Sequence, residues 1–235
     1  MPIYFIRTPV REPFIFDSIG NHWEQEHVIR PNGYPHYHYL QTESGEGTVR
    51  IQGRAIRLGV DEGILIAPFV KHSYMRTDET WNTLFATVTG SLEGSIDRIL
   101  DGRKIILTEK GQGMRIRRKI EETMERYDIM KQARIYKGIA VVAAQETQNR
   151  IVAAQAADEL LNISGVNASA VLYPTGDGGV AVSARSIGNV NVQVLLETLG
   201  GGGNRSAAGA QIPNCSLRDA VNRLFAAIDE YCATD

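Results

Sequence analysis

"VAVSARSIGNVNVQVLLETLGGGGNRSAAGAQI", residues 180–212, carries the pattern that decides the fold of the second half of this chain. Its first seven residues alternate as a strand, which puts Ser183 and Arg185 on one face and Val182 and Ala184 on the other. "NVQVLLETLG" reads as a helix ending at Gly200, and "AAGAQI" as the next strand. Four glycines lie between them, and glycine gives up more backbone freedom on folding than any other residue. A helix C-cap accounts for Gly200 alone. Gly201, Gly202 and Gly203 leave two readings open: a tight turn, or bare main-chain N–H groups that let a phosphate approach closely.

The flanking sequence continues the mixed pattern. "GIAVVAA" is a short apolar strand, and "QNRIVAAQAADELLNIS" a helix with Ile151, Ala154, Ala157 and Leu161 on one face. "ASAVLYPTGDGGVAVSARS" is a hairpin turned by "TGDGG", and the last helix starts at the cap Ser216. Residues 126–235 are therefore expected to form one compact α/β domain.

Residues 1–125 follow another grammar. "HYHYLQTESGEGTVRIQGRAIRL", "GILIAPFVKHSYMR" and "WNTLFATVTG" are short β-rich runs punctuated by Gly, Pro and Asp, as in a small barrel or sandwich. Two helices trail them. In the second, Ile116, Ile120, Met124 and Tyr127 make one narrow apolar stripe, with Arg117–Glu121 and Arg118–Glu122 as i,i+4 pairs on the wet face. Such a stripe predicts a docking seam, and a homodimer is expected through it.

Composition limits the function classes. With 43% hydrophobic and 22% charged residues the chain reads as globular, and a net charge of −2 argues against binding duplex nucleic acid. No apolar run approaches the roughly 18 residues of a membrane helix, and the N-terminal sequence lacks a signal-peptide pattern. Cys215 and Cys232 form no C-x-x-C pair, so a cytoplasmic location is expected. All five histidines, His22, His27, His36, His38 and His72, fall in the first third.

Together "GYPHYHYLQTESGEGTVRIQG", "GILIAPFVKHSY" and "WNTLFATVTG" resemble the N-terminal sensory domain of AraC-family transcription regulators, over about residues 14–120. The resemblance implies an all-β, cupin-like barrel that binds a small effector, a sugar among the candidates, with trailing helices that dimerise. Strand alternation sends Tyr34, His36, His38 and Leu40 to one side, and His72 is expected to face them. Three imidazoles could hold a divalent metal. Alignment with metal-binding cupins puts Asn32 and Tyr34 at two of their ligand positions, so an organic pocket without metal or cofactor is the preferred reading. Trp23, assigned to this pocket, leaves two readings open: a stacking surface for the ligand, or part of an ordinary edge strand. Nothing after residue 125 resembles that family's helix-turn-helix motifs, so direct DNA binding is not expected.

Residues 127–232 resemble the DHH-associated domain of GdpP-type cyclic-di-AMP phosphodiesterases, through "RIVAAQAADELLNISGVNASAVL" and "SARS…NVQ…LGGGG". In that family this domain binds the nucleotide while a separate DHH domain carries the metals. The resemblance implies that Ser183, Arg185, Gly201, Gly202, Gly203 and Asn204 meet a cyclic or linear dinucleotide. The family's histidine after the glycines is here Asn204, which hydrogen-bonds but cannot carry a proton. No Asp/His set for two-metal hydrolysis is legible. The chain reads as a non-catalytic ligand-binding protein, with a phosphodiesterase component needing a DHH domain in trans as the alternative.

Overall fold

A computed structural model describes residues 3–5, 15–89 and 93–234 of the 235. Contacts divide the chain into two units that meet between Met124 and Glu125.

The first unit is a sheet of eight strands: β1 (Ile3–Phe5), β2 (Ile15–Glu24), β3 (Val28–Arg30), β4 (Tyr37–Ile51), β5 (Arg54–Leu58), β6 (Gly63–Ile66), β7 (His72–Thr89) and β8 (Ile105–Thr108). Its path is β1-β2-β7-β4-β6-β8, with β3 added to β7 and β5 to β4. The strand-rich architecture is the one expected, but the sheet stays open. Its end strands β1 and β8 span three and four residues and pair with one neighbour each, so among the described residues no ladder closes a barrel. The backbone of the unit is the β4–β7 pair, which stays antiparallel from Tyr37↔Val88 to Ile51↔His72 across two bulges. At the bulge a notch at Gly47 receives Trp81: a Cβ on Gly47 would lie 2.3 Å from the indole. Trp81 is fully buried with Leu40, Val49 and Ile64, and its indole N–H donates to Thr42 Oγ1 at 2.9 Å.

Helix α1 (Glu93–Leu100) precedes β8, and α2 (Lys110–Met130) follows it. The stripe expected to join two copies is buried within the unit instead. Ile120 and Met124 pack against Ile19, Tyr39, Leu84 and Ala86, with Ile116 at the margin. Each fully buried apolar side chain of this kind contributes about 1.5–3 kcal/mol, and that gain is taken up in docking the helix on its own sheet. The sequence showed that the stripe needed cover, but a stripe does not identify what covers it.

The second unit contains β9 (Arg134–Tyr136), β10 (Ile139–Ala143), α3 (Arg150–Leu160), β11 (Ala168–Pro174), β12 (Val180–Ser186), α4 (Val192–Glu197), β13 (Gly202–Gly203), β14 (Ala207–Ile212) and α5 (Leu217–Thr234). Its sheet order is β13-β14-β12-β11-β10-β9, and β10–β11 is the parallel pair, with α3 as the crossover. The hairpin turn closes as the sequence implied: Thr175 N–H donates to Gly179 O at 2.9 Å, with Gly178 at φ +83°. Ser216 caps α5, its hydroxyl accepting from Asp219 N–H at 3.1 Å.

Strand alternation gives this sheet two apolar faces. Val182, Ala184, Leu172 and Ala210 pack with Leu196 of α4 and Leu224 and Ile228 of α5. Val171, Tyr173 and Ala181 pack with Val152, Ala153, Ala156 and Ala157 of α3, and Ser169 Oγ donates to Ala157 O at 2.6 Å. Small alanines let α3 sit close, but α3 reaches only as far as β12. Beyond it this face of β14 and β13 is uncovered.

Candidate ligand-binding sites

The uncovered face forms an open cleft of about 650 Å³. Its floor follows from strand register. Ser183 lies opposite Gly209, and Gly209 opposite Gly202, so these three residues form a row across β12, β14 and β13. Within that row no side chain is larger than a hydroxymethyl group. Arg185 and Ala207 form the row on one side, Ala181 and Gln211 the row on the other. Arg150 and Ala154 of α3 make the wall, and Gly200–Gly203 the far rim.

The four glycines have different causes. Gly200, at φ +78°, and Gly201 close the end of α4, donating to Glu197 O at 3.0 Å and Leu196 O at 2.8 Å. A Cβ on Gly201 would lie 2.4 Å from Gly209 O, and one on Gly203 2.4 Å from Ala207 O, so packing against β14 excludes side chains there. A Cβ on Gly202 meets nothing within 4 Å and projects onto the cleft face. The fold therefore explains three of the glycines, and Gly202 is the one it leaves over.

Arg185 Nε pairs with Asp158 Oδ1 of α3 at 2.9 Å, and its Nη1 donates to Ala184 O at 3.0 Å. Asp158 is largely exposed, so the pair is a weak rim contact that a ligand anion can displace. Ser183 and Arg185 stand together in the cleft with Gly201–Gly203. Asn204 lies outside it. Its Oδ1 accepts from the backbone N–H groups of Ser206 (3.0 Å) and Ala207 (2.9 Å) and closes the β13–β14 turn. Sequence reasoning missed Arg150 and Tyr173. Tyr173 was within reach, because the hairpin turn sets Tyr173 opposite Ala181, on the face of Ser183 and Arg185.

In the first unit, a cavity of about 170 Å³ is lined by Trp23, Arg30, Tyr34, His38, Tyr74 and Thr87 among others. Trp23 sits beyond a register shift in the β2–β7 pairing and meets Phe85 edge-on, ring centroids 6.0 Å apart. His38 is 5% exposed, and neither ring nitrogen has a hydrogen-bond partner. Burial first, then the nearby charges of Arg30 and His72, pull its pKa down to about 3, so the ring is neutral. His72 stacks beside it at 6.3 Å, outside the cavity lining, with Nδ1 2.7 Å from Val70 O. Burial lowers its pKa as well. His36 is not in the cavity: it precedes the first residue of β4, where alternation does not apply, and turns to Asp17 at 3.9 Å.

The family model for the AraC-like ligand binding domain matches residues 16–139, more than half of the chain. The chain belongs to the AraC-like ligand-binding domain family. This AraC-like domain is followed by a DHHA1 domain, whose family model matches residues 136–234. Two curated relatives resemble the DHHA1 half. The cyclic-di-AMP phosphodiesterase GdpP of Geobacillus thermodenitrificans is 40% identical over 119 residues, 49% of this chain and 18% of the relative. The cyclic-di-AMP phosphodiesterase PdeA of Listeria monocytogenes is 42% identical over 96 residues, 40% of this chain and 15% of the relative. The AraC-like chain thus spans under a fifth of the length of either. An exopolyphosphatase-related protein from Bacteroides fragilis superposes with a TM-score of 0.43 at 19% identity, covering 47% of this chain and 34% of that one. Among the described residues of this AraC-like protein, no helix is long and apolar enough to cross a membrane.

Proposed function

We propose that the chain is a non-enzymatic binding protein that takes a small effector in the His38 cavity and a cyclic or linear dinucleotide in the glycine cleft. The observation carrying the second half is the bare row Ser183–Gly209–Gly202 between the two arginines Arg150 and Arg185. A phosphodiester can lie against backbone there while guanidinium groups take its charge. The names of the relatives support the nucleotide class. The unpartnered His38 ring supports the first half, since a buried polar group without a partner costs about 1–3 kcal/mol until something satisfies it. Two free cysteines, Cys215 and Cys232, suit a cytoplasmic protein.

Calorimetric titration of cyclic-di-AMP and its linear product pApA into the whole chain tests the cleft. Saturable binding of either at micromolar to low millimolar concentration is expected, with no turnover when Mn²⁺ is added. Turnover would return the chain to the phosphodiesterases; binding of neither nucleotide would end the proposal. Asp158→Asn serves as a positive variant. Releasing Arg185 from its rim partner removes a competitor worth at most about 1 kcal/mol, so affinity should rise up to fivefold. A drop in affinity in that variant would mean that Asp158 does not compete with the nucleotide for Arg185.

A further inference from the structure

The cleft of the second unit is ordered in rows, and one row is shaped for a base. Tyr173 lies opposite Ala181 and Ala181 opposite Gln211, so the three run in line across β11, β12 and β14. The row beside it is the bare Ser183–Gly209–Gly202, and the row beyond that carries Arg185. Rows on one face of a sheet repeat about every 7 Å, two residues of rise. A phosphate held at Arg185 thus sends its sugar along the bare row and its base toward Ala181. The floor there is a single methyl group, and Ala154 of α3 stands at the wall. A flat ring fits over Ala181, between Tyr173 on one flank and Gln211 on the other.

Gln211 carries the chemistry of this row. Strand alternation buries its neighbours Ala210 and Ile212 in the core with α4 and α5, and turns Gln211 to the cleft. It is exposed, and its amide pairs with no described residue. Such an amide offers an N–H donor and a C=O acceptor in one plane. Adenine presents the complement on one edge, the N7 acceptor beside the N6 amino donor, and takes the amide through two hydrogen bonds. Guanine presents two acceptors there, N7 and O6, so the same amide would set its carbonyl oxygen against an acceptor. Two acceptors suit a guanidinium instead, and Arg150 on the α3 wall is the group that would favour guanine.

We infer that Gln211 is the base-reading residue of the cleft and selects adenine over guanine. This rests on the reading of the cleft as a dinucleotide site and adds to it a side chain that distinguishes bases, where Arg185 distinguishes only charge. Arg150 then serves the phosphates.

The test titrates pApA and pGpG into the whole chain by calorimetry, a pair equal in phosphate number that differs in base alone. pApA is expected to bind at least about fivefold tighter, the low end for one bidentate base contact. Gln211→Ala should bring the ratio to about one. Gln211→Arg should turn it toward pGpG, since arginine supplies the two donors that guanine needs. The ratio is the readout, because a merely structural loss would weaken both nucleotides alike, and the wild-type comparison depends on no variant. Equal binding of the two by wild type, or tighter binding of pGpG, would overturn the inference and leave the dinucleotide site standing. A preference for pApA kept in Gln211→Ala would place the reading elsewhere and overturn it as well. Binding of neither at millimolar concentration would overturn both.

Discussion

Acidification should unfold the first unit well before it affects the second, through the His38 ring. A base whose pKa falls from 6.5 in the unfolded chain to about 3 in the fold takes up its proton only on unfolding across that interval. The unfolded state then binds more protons, so stability is complete above pH 6.5 and declines as pH falls toward 3. A tenfold change in proton affinity is worth about 1.36 kcal/mol, which puts the whole loss at about 5 kcal/mol and the part between pH 6.5 and 4.5 at about 3 kcal/mol. The upper part of the window is diagnostic, because the carboxylates whose pKa values are lowered, Glu46, Glu122, Asp177 and Asp229, titrate below it. His72, whose pKa moves in the same direction, adds to the effect. Both tryptophans, Trp23 and Trp81, belong to the first unit, so urea titrations followed by tryptophan fluorescence report on it alone. His38→Gln should flatten the dependence between pH 6.5 and 4.5. A wild-type midpoint that does not move across that range would show that His38 is not held neutral by burial.

Arg185→Ala should weaken nucleotide binding ten- to a hundredfold without changing the stability of the second unit. Losing a charge-assisted hydrogen bond costs about 1.5–3 kcal/mol, while the rim pair with Asp158 contributes little to folding. The glycines separate binding from folding in the same experiment. At Gly202 a Cβ finds open space, so Gly202→Ala should fold as wild type and lose affinity only through obstruction of the cleft. Gly201→Ala forces a methyl against Gly209 O and should cost the fold about 1–3 kcal/mol. If Gly202→Ala and Arg185→Ala both bind as wild type does, the nucleotide does not lie in this row.

The sequence was most readable where one strand face is polar and the other apolar. "AAGAQI" became β14 without adjustment, and Ser183 and Arg185 share the face their spacing implied. Local chemistry also placed the Gly200 cap and the Ser216 cap. What stayed hidden depends on distant pairing. Arg150 joins the cleft because α3 crosses over between β10 and β11, and nothing near residue 150 states how far across the sheet that helix will lie. The glycine run looked uniform in sequence because the contacts that distinguish Gly201 and Gly203 from Gly202 come from β14. His36 and His38 looked equivalent because the start of β4, one residue after His36, is set by its pairing with β7. What covers the helix stripe stayed hidden for the same reason: Ile120 packs on residues such as Tyr39, some eighty positions earlier in the chain.

The ends of both sheets have a bearing on how the protein behaves when crowded. The strands with a single neighbour, β1, β3, β5, β8, β9 and β13, are three, three, five, four, three and two residues long. An open sheet offers its border N–H and C=O groups to any passing chain, and a long flat border is a template for fibrils. Borders this short present too few groups in register to hold a stranger's backbone. The polymerisation hazard that an unclosed first sheet would otherwise carry is thus countered by strand length, without Pro or lysine guards in these six segments.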